Sequence, residues 1–158
     1  MYDPILLTLD GSELAELAIP HAVAMAKQFG ARLIVLRVVP PVVQPLDVDY
    51  GLSAPYGYEK IIEAETQGAA EYLANVVKSF EAEGLTVETV TPLGEPATAI
   101  LETAHDRGAK LIVMATHGRS GFRRLVFGSV ADRVLREAET PVLLVRGHDQ
   151  DHSAAGKS

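Results

Sequence analysis

The chain has 158 residues, of which 47% are hydrophobic and 22% are charged, a composition typical of one globular domain. Its net charge of -7, from 14 basic and 21 acidic side chains, argues against binding to nucleic acid or to an anionic membrane. The lack of cysteine excludes disulfides and thiol catalysis. No apolar run approaches the roughly 20 residues of a membrane helix, and the first residues do not resemble a signal peptide, so we expect a cytoplasmic protein.

Strand-like and helix-like patterns alternate along the chain. Strands are predicted at 4–9, 32–39, 85–94, 109–116 and 140–146. Helices are predicted at 13–30, 59–84 and 95–108, followed by one of about ten residues that ends near Ala138. Gly30 is expected to end the first helix and Pro20 to kink it, because a proline inside a helix removes a hydrogen bond. Residues 40–58 contain four prolines and are expected to form a long irregular connection.

The alternation of strands and helices predicts an α/β fold, in which a five-stranded parallel sheet is covered by helices on both faces. In such a three-layer sandwich, ligands bind beyond the carboxyl ends of the strands, where the strand order reverses. This rule selects Asp10 after the first strand, Val38 and Val39 after the second, and the glycine-rich segment after the fourth. Asp10 also has an alternative role as a cap of the helix that follows it.

The segment after the fourth strand, "THGRSGFRRLVFGS", has a composition suited to an anion site. Gly118 and Gly128 would let the backbone approach an anion closely, and Ser129 lies where the next helix begins. Ser129 could cap that helix or donate its hydroxyl to a phosphate oxygen. Arg123 and Arg124 could contact phosphate or point to solvent or to a second subunit. An ordinary capped surface loop explains the same composition, so the segment alone leaves both interpretations open.

Motifs for catalysis are mostly absent, and no catalytic residue is predicted. The segment lacks the nucleophile elbow and the lysine-containing phosphate loop. His117 could act as a base, or it could be a hydrogen-bonding residue of the loop. His148 and His152 have a spacing that could hold a metal on a helix, but they lie in a segment without apolar periodicity, so no metal site is predicted.

The chain resembles the universal stress protein family over nearly its full length. The resemblance rests on "ILLTLDGSELAE", on "LIVLRVV" and above all on "LIVMATHGRSGFRRLVFGSVADRVLREAETPVLLVR". The nucleotide-binding members carry glycine, two residues, glycine, nine residues, then glycine and serine or threonine. Gly118, Gly128 and Ser129 match that pattern, and Ala115 takes the place of its first glycine.

The resemblance implies a Rossmann-like sheet with strand order 3-2-1-4-5 that binds ATP, with Mg²⁺, at the strand ends. Asp10 would meet the ribose or the adenine side, and the backbone of Val38 would meet the adenine edge. Met114 and Ala115 would line the adenosine. The phosphates would be held by Gly118, Gly128, Ser129 and Val130.

The resemblance also implies a homodimer in which the last strand, "PVLLVR", pairs across the subunit interface. The predicted protein is therefore a dimeric, ATP-binding sensor or switch of the stress response, with one domain at 1–147 and a disordered tail at 148–158. Two alternatives remain open at this point. One is a stress scaffold that binds partner proteins without nucleotide, and the other is a slow ATPase.

Overall fold

The structure is a computed structural model that describes residues 1–42, 54–118 and 128–148. It contains a five-stranded parallel sheet in the order β3-β2-β1-β4-β5, which confirms the predicted fold class and strand order. The strands are β1 (Ile5–Thr8), β2 (Leu33–Leu36), β3 (Val87–Val90), β4 (Leu111–Gly118) and β5 (Val142–His148). The helices are α1 (Glu13–Glu16), α2 (Ile19–Phe29), α3 (Ala54–Ala82), α4 (Pro96–Asp106) and α5 (Ser129–Glu137).

Helices cover both faces of the sheet, and successive side chains of a strand point to opposite faces, so β1, β2 and β4 have buried side chains on both sides. In β1, Leu7 points toward α1, α2 and α3, where its cluster includes Leu73 of α3. Leu6 points the other way, into a cluster with Ile100 of α4 and Val134 of α5. This arrangement explains why the first, second and fourth strands are nearly continuous apolar runs in the sequence.

The predicted kink at Pro20 is wrong. The chain forms two helices there, α1 and α2, and Pro20 lies in the first turn of the second. A proline is tolerated in that position because the first backbone N–H groups of a helix have no partner within the helix. Gly30 ends α2 in the left-handed conformation, as predicted, with φ of 60°.

The predicted end of the irregular connection, at residue 58, is also wrong. Helix α3 begins at Ala54, five residues before the predicted start at 59, and Pro55 falls within its first turn. The part of the connection at 43–53 lies outside the described residues. At the other end of the chain, β5 continues to His148, which the sequence analysis places in the tail, and the rest of the tail lies outside the described residues.

Helix α3 contains an exposed glycine whose replacement is expected to stabilise the protein. A Cβ placed on Gly68 would meet no atom within 4 Å. Because alanine is the better helix former, Gly68→Ala should raise the free energy of unfolding by about 0.8–1.0 kcal/mol. Urea denaturation of the variant and of the wild type measures this difference.

Gly84, just after α3, provides the matched control. Its φ of 82° lies in the left-handed region, which an L-residue with a Cβ rarely adopts. Gly84→Ala should therefore lower the free energy of unfolding by about 1–2 kcal/mol. Stabilisation by both substitutions, or by neither, would contradict this assignment of the two glycines.

Candidate functional site

A cleft of about 490 Å³ opens at the carboxyl ends of β1, β2 and β4. The chain leaves β1 toward the face covered by α1 and α2, and it leaves β4 toward the face covered by α5. The space between β1 and β4 is therefore the point where the strand order reverses, which is the usual ligand position in a doubly wound sheet.

The structure brings seven of the eight predicted site residues into the wall of this cleft: Asp10, Val38, Met114, Ala115, Gly128, Ser129 and Val130. The eighth, Gly118, was expected in the loop, but it is the last residue of β4 and pairs with His148. The strand is longer than predicted because β5 also continues to His148 and supplies its partners. The residues at 119–127, including Arg119, Arg123 and Arg124, lie outside the described part of the chain.

At the end of β1, Asp10 does not cap α1 itself but holds the residue that does. Its Oδ1 accepts hydrogen bonds from the backbone N–H of Ser12, at 2.9 Å, and from the Ser12 hydroxyl, at 2.5 Å. The Ser12 Oγ in turn accepts from the Ala15 N–H and caps the helix. Both hydrogen bonds to Asp10 use the same oxygen. Its other oxygen, Oδ2, accepts no hydrogen bond from the described residues and is available to another donor.

Gly11 gives this turn its shape. Its φ of 86° is unfavourable for any residue with a Cβ, so the chain requires glycine here. The turn keeps the exposed Asp10 carboxylate at the cleft, directly beyond the buried strand β1.

The opposite end of the cleft is formed by the start of α5. Gly128 is the N-cap residue, and within the described part of the chain no side chain caps this helix, although the sequence had suggested Ser129 for that role. The Gly128 N–H donates to Thr116 Oγ1 at 3.4 Å, which connects the helix start to β4. The first N–H groups of a helix have no partner within it, so they can donate to an anion. A Cβ on Gly128 would meet no atom of residues 1–42, 54–118 or 128–148 within 4 Å, so these residues leave the space at this position open.

The walls between these two ends are largely apolar. Met114 is buried in the face that α4 and α5 cover, and Val38 packs against the same cluster. Ile100 of α4 and Ala131 of α5 complete this side of the cleft. Such a combination of apolar walls and few polar groups is typical of binding sites for small organic molecules.

Sequence reasoning missed a polar group on the other side of the cleft, around Arg37 at the end of β2. The guanidinium Cζ lies 4.9 Å from the centre of the Tyr72 ring, and the Tyr72 hydroxyl donates to Glu16 Oε1 at 2.8 Å. Burial, followed by the hydrogen bond to Glu16, raises the pKa of the Tyr72 phenol far above its usual range. The available signal was an arginine in the otherwise apolar "LIVLRVV".

The histidines of the described chain do not form a metal-ion cluster. His117 is exposed in the cleft wall and pairs through its backbone with Gly147. Among residues 1–42, 54–118 and 128–148, no group of three or more histidine, aspartate or glutamate side chains is placed to hold a metal ion. His152 lies outside the described residues. No helix within those same ranges has both the length and the apolar character needed to cross a membrane.

Glu95 organises the edge of the cleft beside Pro96. Its carboxylate accepts hydrogen bonds from the Thr98 N–H at 2.9 Å, the Thr98 hydroxyl at 2.7 Å and the Ala97 N–H at 3.1 Å. These bonds, with the Thr98 N–H foremost and with a smaller contribution from the nearby Arg133 charge, lower the pKa of Glu95 to about 2. The carboxylate thus caps α4 and connects it to α5.

The lowered pKa predicts a pH-dependent effect of Glu95→Gln. Because the folded-state pKa of Glu95 is below its ordinary value of 4.5, the carboxylate stabilises the fold above that value and loses this effect as the pH falls toward 2. The variant should therefore be less stable than the wild type at pH 7, and the difference should disappear near pH 2. Denaturant unfolding at several pH values tests this expectation, and Glu102→Gln on the same helix is the control at pH 7. A difference that stays constant down to pH 2 would contradict the assigned role.

The parallel sheet with a cleft at its switch point defines the chain as a doubly wound α/β protein. The profile of the Universal stress protein family matches residues 1–146, and the chain belongs to that family. It is 38% identical to the universal stress protein MJ0531 of Methanocaldococcus jannaschii, over 92% of this chain and 83% of that protein. It is 37% identical to a universal stress protein of Thermus aquaticus, over 92% of this chain and all of that one.

Solved structures agree with this assignment. The structure of the hypothetical protein MJ0577 superposes with a TM-score of 0.76 at 28% identity and covers 93% of this chain and 97% of that chain. A universal stress protein of Archaeoglobus fulgidus, in complex with dAMP, superposes with a TM-score of 0.61 at 26% identity. That superposition covers 91% of this chain and 98% of the other.

Proposed function

We propose that this chain binds ATP, or another adenine nucleotide, with Mg²⁺ in the cleft and acts as a dimeric cytoplasmic sensor or switch of the stress response. The observation that carries the proposal is the cleft itself, where an exposed carboxylate at Asp10 faces an open helix start at Gly128 across apolar walls. The complex of the Archaeoglobus fulgidus relative with dAMP supports an adenine nucleotide as the ligand.

Adenine fits the apolar part of the cleft, between Val38 and Met114. The volume of about 490 Å³ lies within the range of roughly 300–1,000 Å³ that is usual for small-molecule sites. Ala115 stands where the family pattern has glycine, and it is partly buried in the cleft wall. Its single methyl group leaves the wall nearly as flat as glycine would.

The ribose would lie at the end of β1. No described residue donates a hydrogen bond to Asp10 Oδ2, so this oxygen is left to accept one from a ribose hydroxyl. The hydrogen bonds to Ser12 fix the orientation of the carboxylate before the ligand arrives. This preorganisation lowers the entropic cost of binding.

The phosphates would extend toward the start of α5, where Gly128, Ser129 and Val130 lie. Gly118 is proposed as a further contact because it ends β4, the strand that leads to this part of the cleft. Mg²⁺ prefers oxygen ligands and keeps several waters, so the phosphate oxygens would supply much of its coordination. The described residues offer the ion no cluster of three or more protein ligands.

The dimer would form through β5. This strand lies at the edge of the sheet, and Val142, Leu143, Leu144 and Val145 are only partly buried within one subunit. An edge strand of this kind exposes unpaired backbone groups that a second copy can cover. Nucleotide occupancy would then shift the population of subunit arrangements without requiring turnover.

Calorimetric titration with Mg-ATP, combined with an assay for ADP, tests the proposal. We expect one site per subunit and ADP formation far below the rate of about 1–1,000 per second that is typical of enzymes. A protein that binds no nucleotide would support the scaffold alternative instead. Sustained turnover at an enzymatic rate would replace the switch with an ATPase.

A further inference from the structure

Arg37 lies in the wall of the cleft. None of the ion pairs formed within residues 1–42, 54–118 and 128–148 involves this side chain. Its guanidinium carries five N–H donors, and a planar ring beneath it satisfies none of them with an oxygen acceptor. A cation of this kind in a cleft is suited to an anionic part of a ligand.

Several other arginines of the described chain form ion pairs on the surface. Four of them pair with carboxylates on the surface: Arg32 with Asp3, Arg107 with Glu88, Arg133 with Glu95 and Glu137, and Arg136 with Asp132. Arg37 differs from these four in being stacked on an aromatic ring and in lining the cleft. The difference indicates a role beyond surface charge pairing.

Two contacts hold the Arg37 side chain in place. One is the Tyr72 ring, which the hydrogen bond from its hydroxyl to Glu16 fixes in turn. The other is the Gly11 backbone, since a Cβ at that position would lie 3.0 Å from the Arg37 Cζ and Nη1 atoms. The guanidinium therefore lies over Gly11, in the turn that follows Asp10.

The position of Arg37 indicates which part of a bound nucleotide this side chain would face. This step rests on the proposed function, which places adenine at Val38 and the 5′-phosphates at Gly128, both on the α4–α5 side of the sheet. Tyr72 belongs to the cluster on the opposite side, where α3 packs. Asp10 lies between the two sides at the end of β1. The ribose hydroxyl edge is thus the part of the nucleotide that faces the arginine.

We propose that Arg37 is a specificity-determining residue that recognises a phosphate ester on a ribose hydroxyl, so that the cleft prefers an adenine nucleotide phosphorylated at the 2′ or 3′ position. An arginine fork matches the geometry of a phosphate, and its charge offsets the repulsion from the carboxylates of Asp10 and Glu16. If Asp10 faced the ribose without an arginine beside it, the site would favour a ribose hydroxyl that carries no phosphate.

Titration calorimetry with three probes at fixed ionic strength tests the inference: AMP, adenosine 2′,5′-bisphosphate and adenosine 3′,5′-bisphosphate. The three share the base and the 5′-phosphate, and the two bisphosphates distinguish the position of the ester. We expect one of the bisphosphates to bind the wild type about tenfold more tightly than AMP, as for a charge-assisted hydrogen-bonded contact. In Arg37→Gln this preference should be lost, so that the Kd values for AMP and for the bisphosphates differ by less than about twofold.

Arg32→Gln, which removes a surface arginine at the opposite end of β2, is the matched control and should keep the preference. The inference is overturned if the wild type binds AMP as tightly as both bisphosphates, or if Arg37→Gln keeps the preference. It is also overturned if Arg37→Gln weakens all three probes equally, since Arg37 would then contact the shared 5′-phosphate. Failure of every probe to bind would reject the proposed function as well, which distinguishes the two failures.

Discussion

Gly128→Leu is expected to weaken nucleotide binding by roughly 10–100-fold, equivalent to the approximately 1–3 kcal/mol that overfilling a packed site costs. The reason is geometric. Gly128 lies at the start of α5 in the cleft wall, and the open space at its Cβ position is the space that the phosphates would need. A leucine side chain begins with a Cβ that meets no atom of the described residues within 4 Å, and its further atoms would extend into the cleft volume. Calorimetric titration with Mg-ATP measures the change in Kd.

Two control variants separate this effect from loss of the fold. Gly68→Leu places the same side chain at another glycine whose Cβ position is open, on the exposed surface of α3. It should bind Mg-ATP like the wild type. Gly128→Ala adds only a methyl group and should fall between wild type and Gly128→Leu. Undiminished affinity in a folded Gly128→Leu variant would place the phosphates elsewhere.

Leu7→Ala is expected to lower the free energy of unfolding by about 2–5 kcal/mol, the usual cost of a cavity in a well-packed core. Leu7 is completely buried in β1, the central strand of the sheet, and it packs against the cluster that includes Leu73 and Val77 of α3. Since small domains have about 5–15 kcal/mol of stability, this loss is large. Guanidinium unfolding followed by circular dichroism measures the loss.

The control for Leu7→Ala is Leu93→Ala, at a residue that is 54% exposed. That substitution should change the free energy of unfolding by less than about 0.5 kcal/mol. Similar losses at both positions would contradict the assignment of β1 to the centre of the core.

The order of strands and helices was predictable because parallel strands are buried on both faces and therefore stand out as apolar runs. The bounds were less predictable, for reasons visible at particular residues. The sequence around Pro20 is compatible both with a kink inside one helix and with the start of a second helix. The structure has the second arrangement, because α1 ends at Glu16 and Pro20 lies in the first turn of α2. The last residues of β4, up to Gly118, become a strand because β5 pairs with them, and the pairing partner is about thirty residues away in the sequence.

The candidate site also has residues that could be predicted from the sequence and contacts that could not. Asp10, Val38 and Gly128 could be named from the sequence, because the ends of alternating parallel strands share one edge of the sheet. The contact of Arg37 with Tyr72 could not be predicted from the sequence, because it depends on which face of α3 lies over β2. The use of Ser12 rather than Asp10 as the cap of α1 likewise depends on the shape of the turn at Gly11, which the sequence permits but does not require.

Mass spectrometry of the purified protein, first native and then after acid extraction, tests the central claim most directly. We expect ATP or ADP near one molecule per subunit, together with a native mass of two chains. The opposite result is a single chain without nucleotide that also fails to bind added Mg-ATP. That result would contradict the proposed switch and leave protein–protein contacts as the function of the cleft.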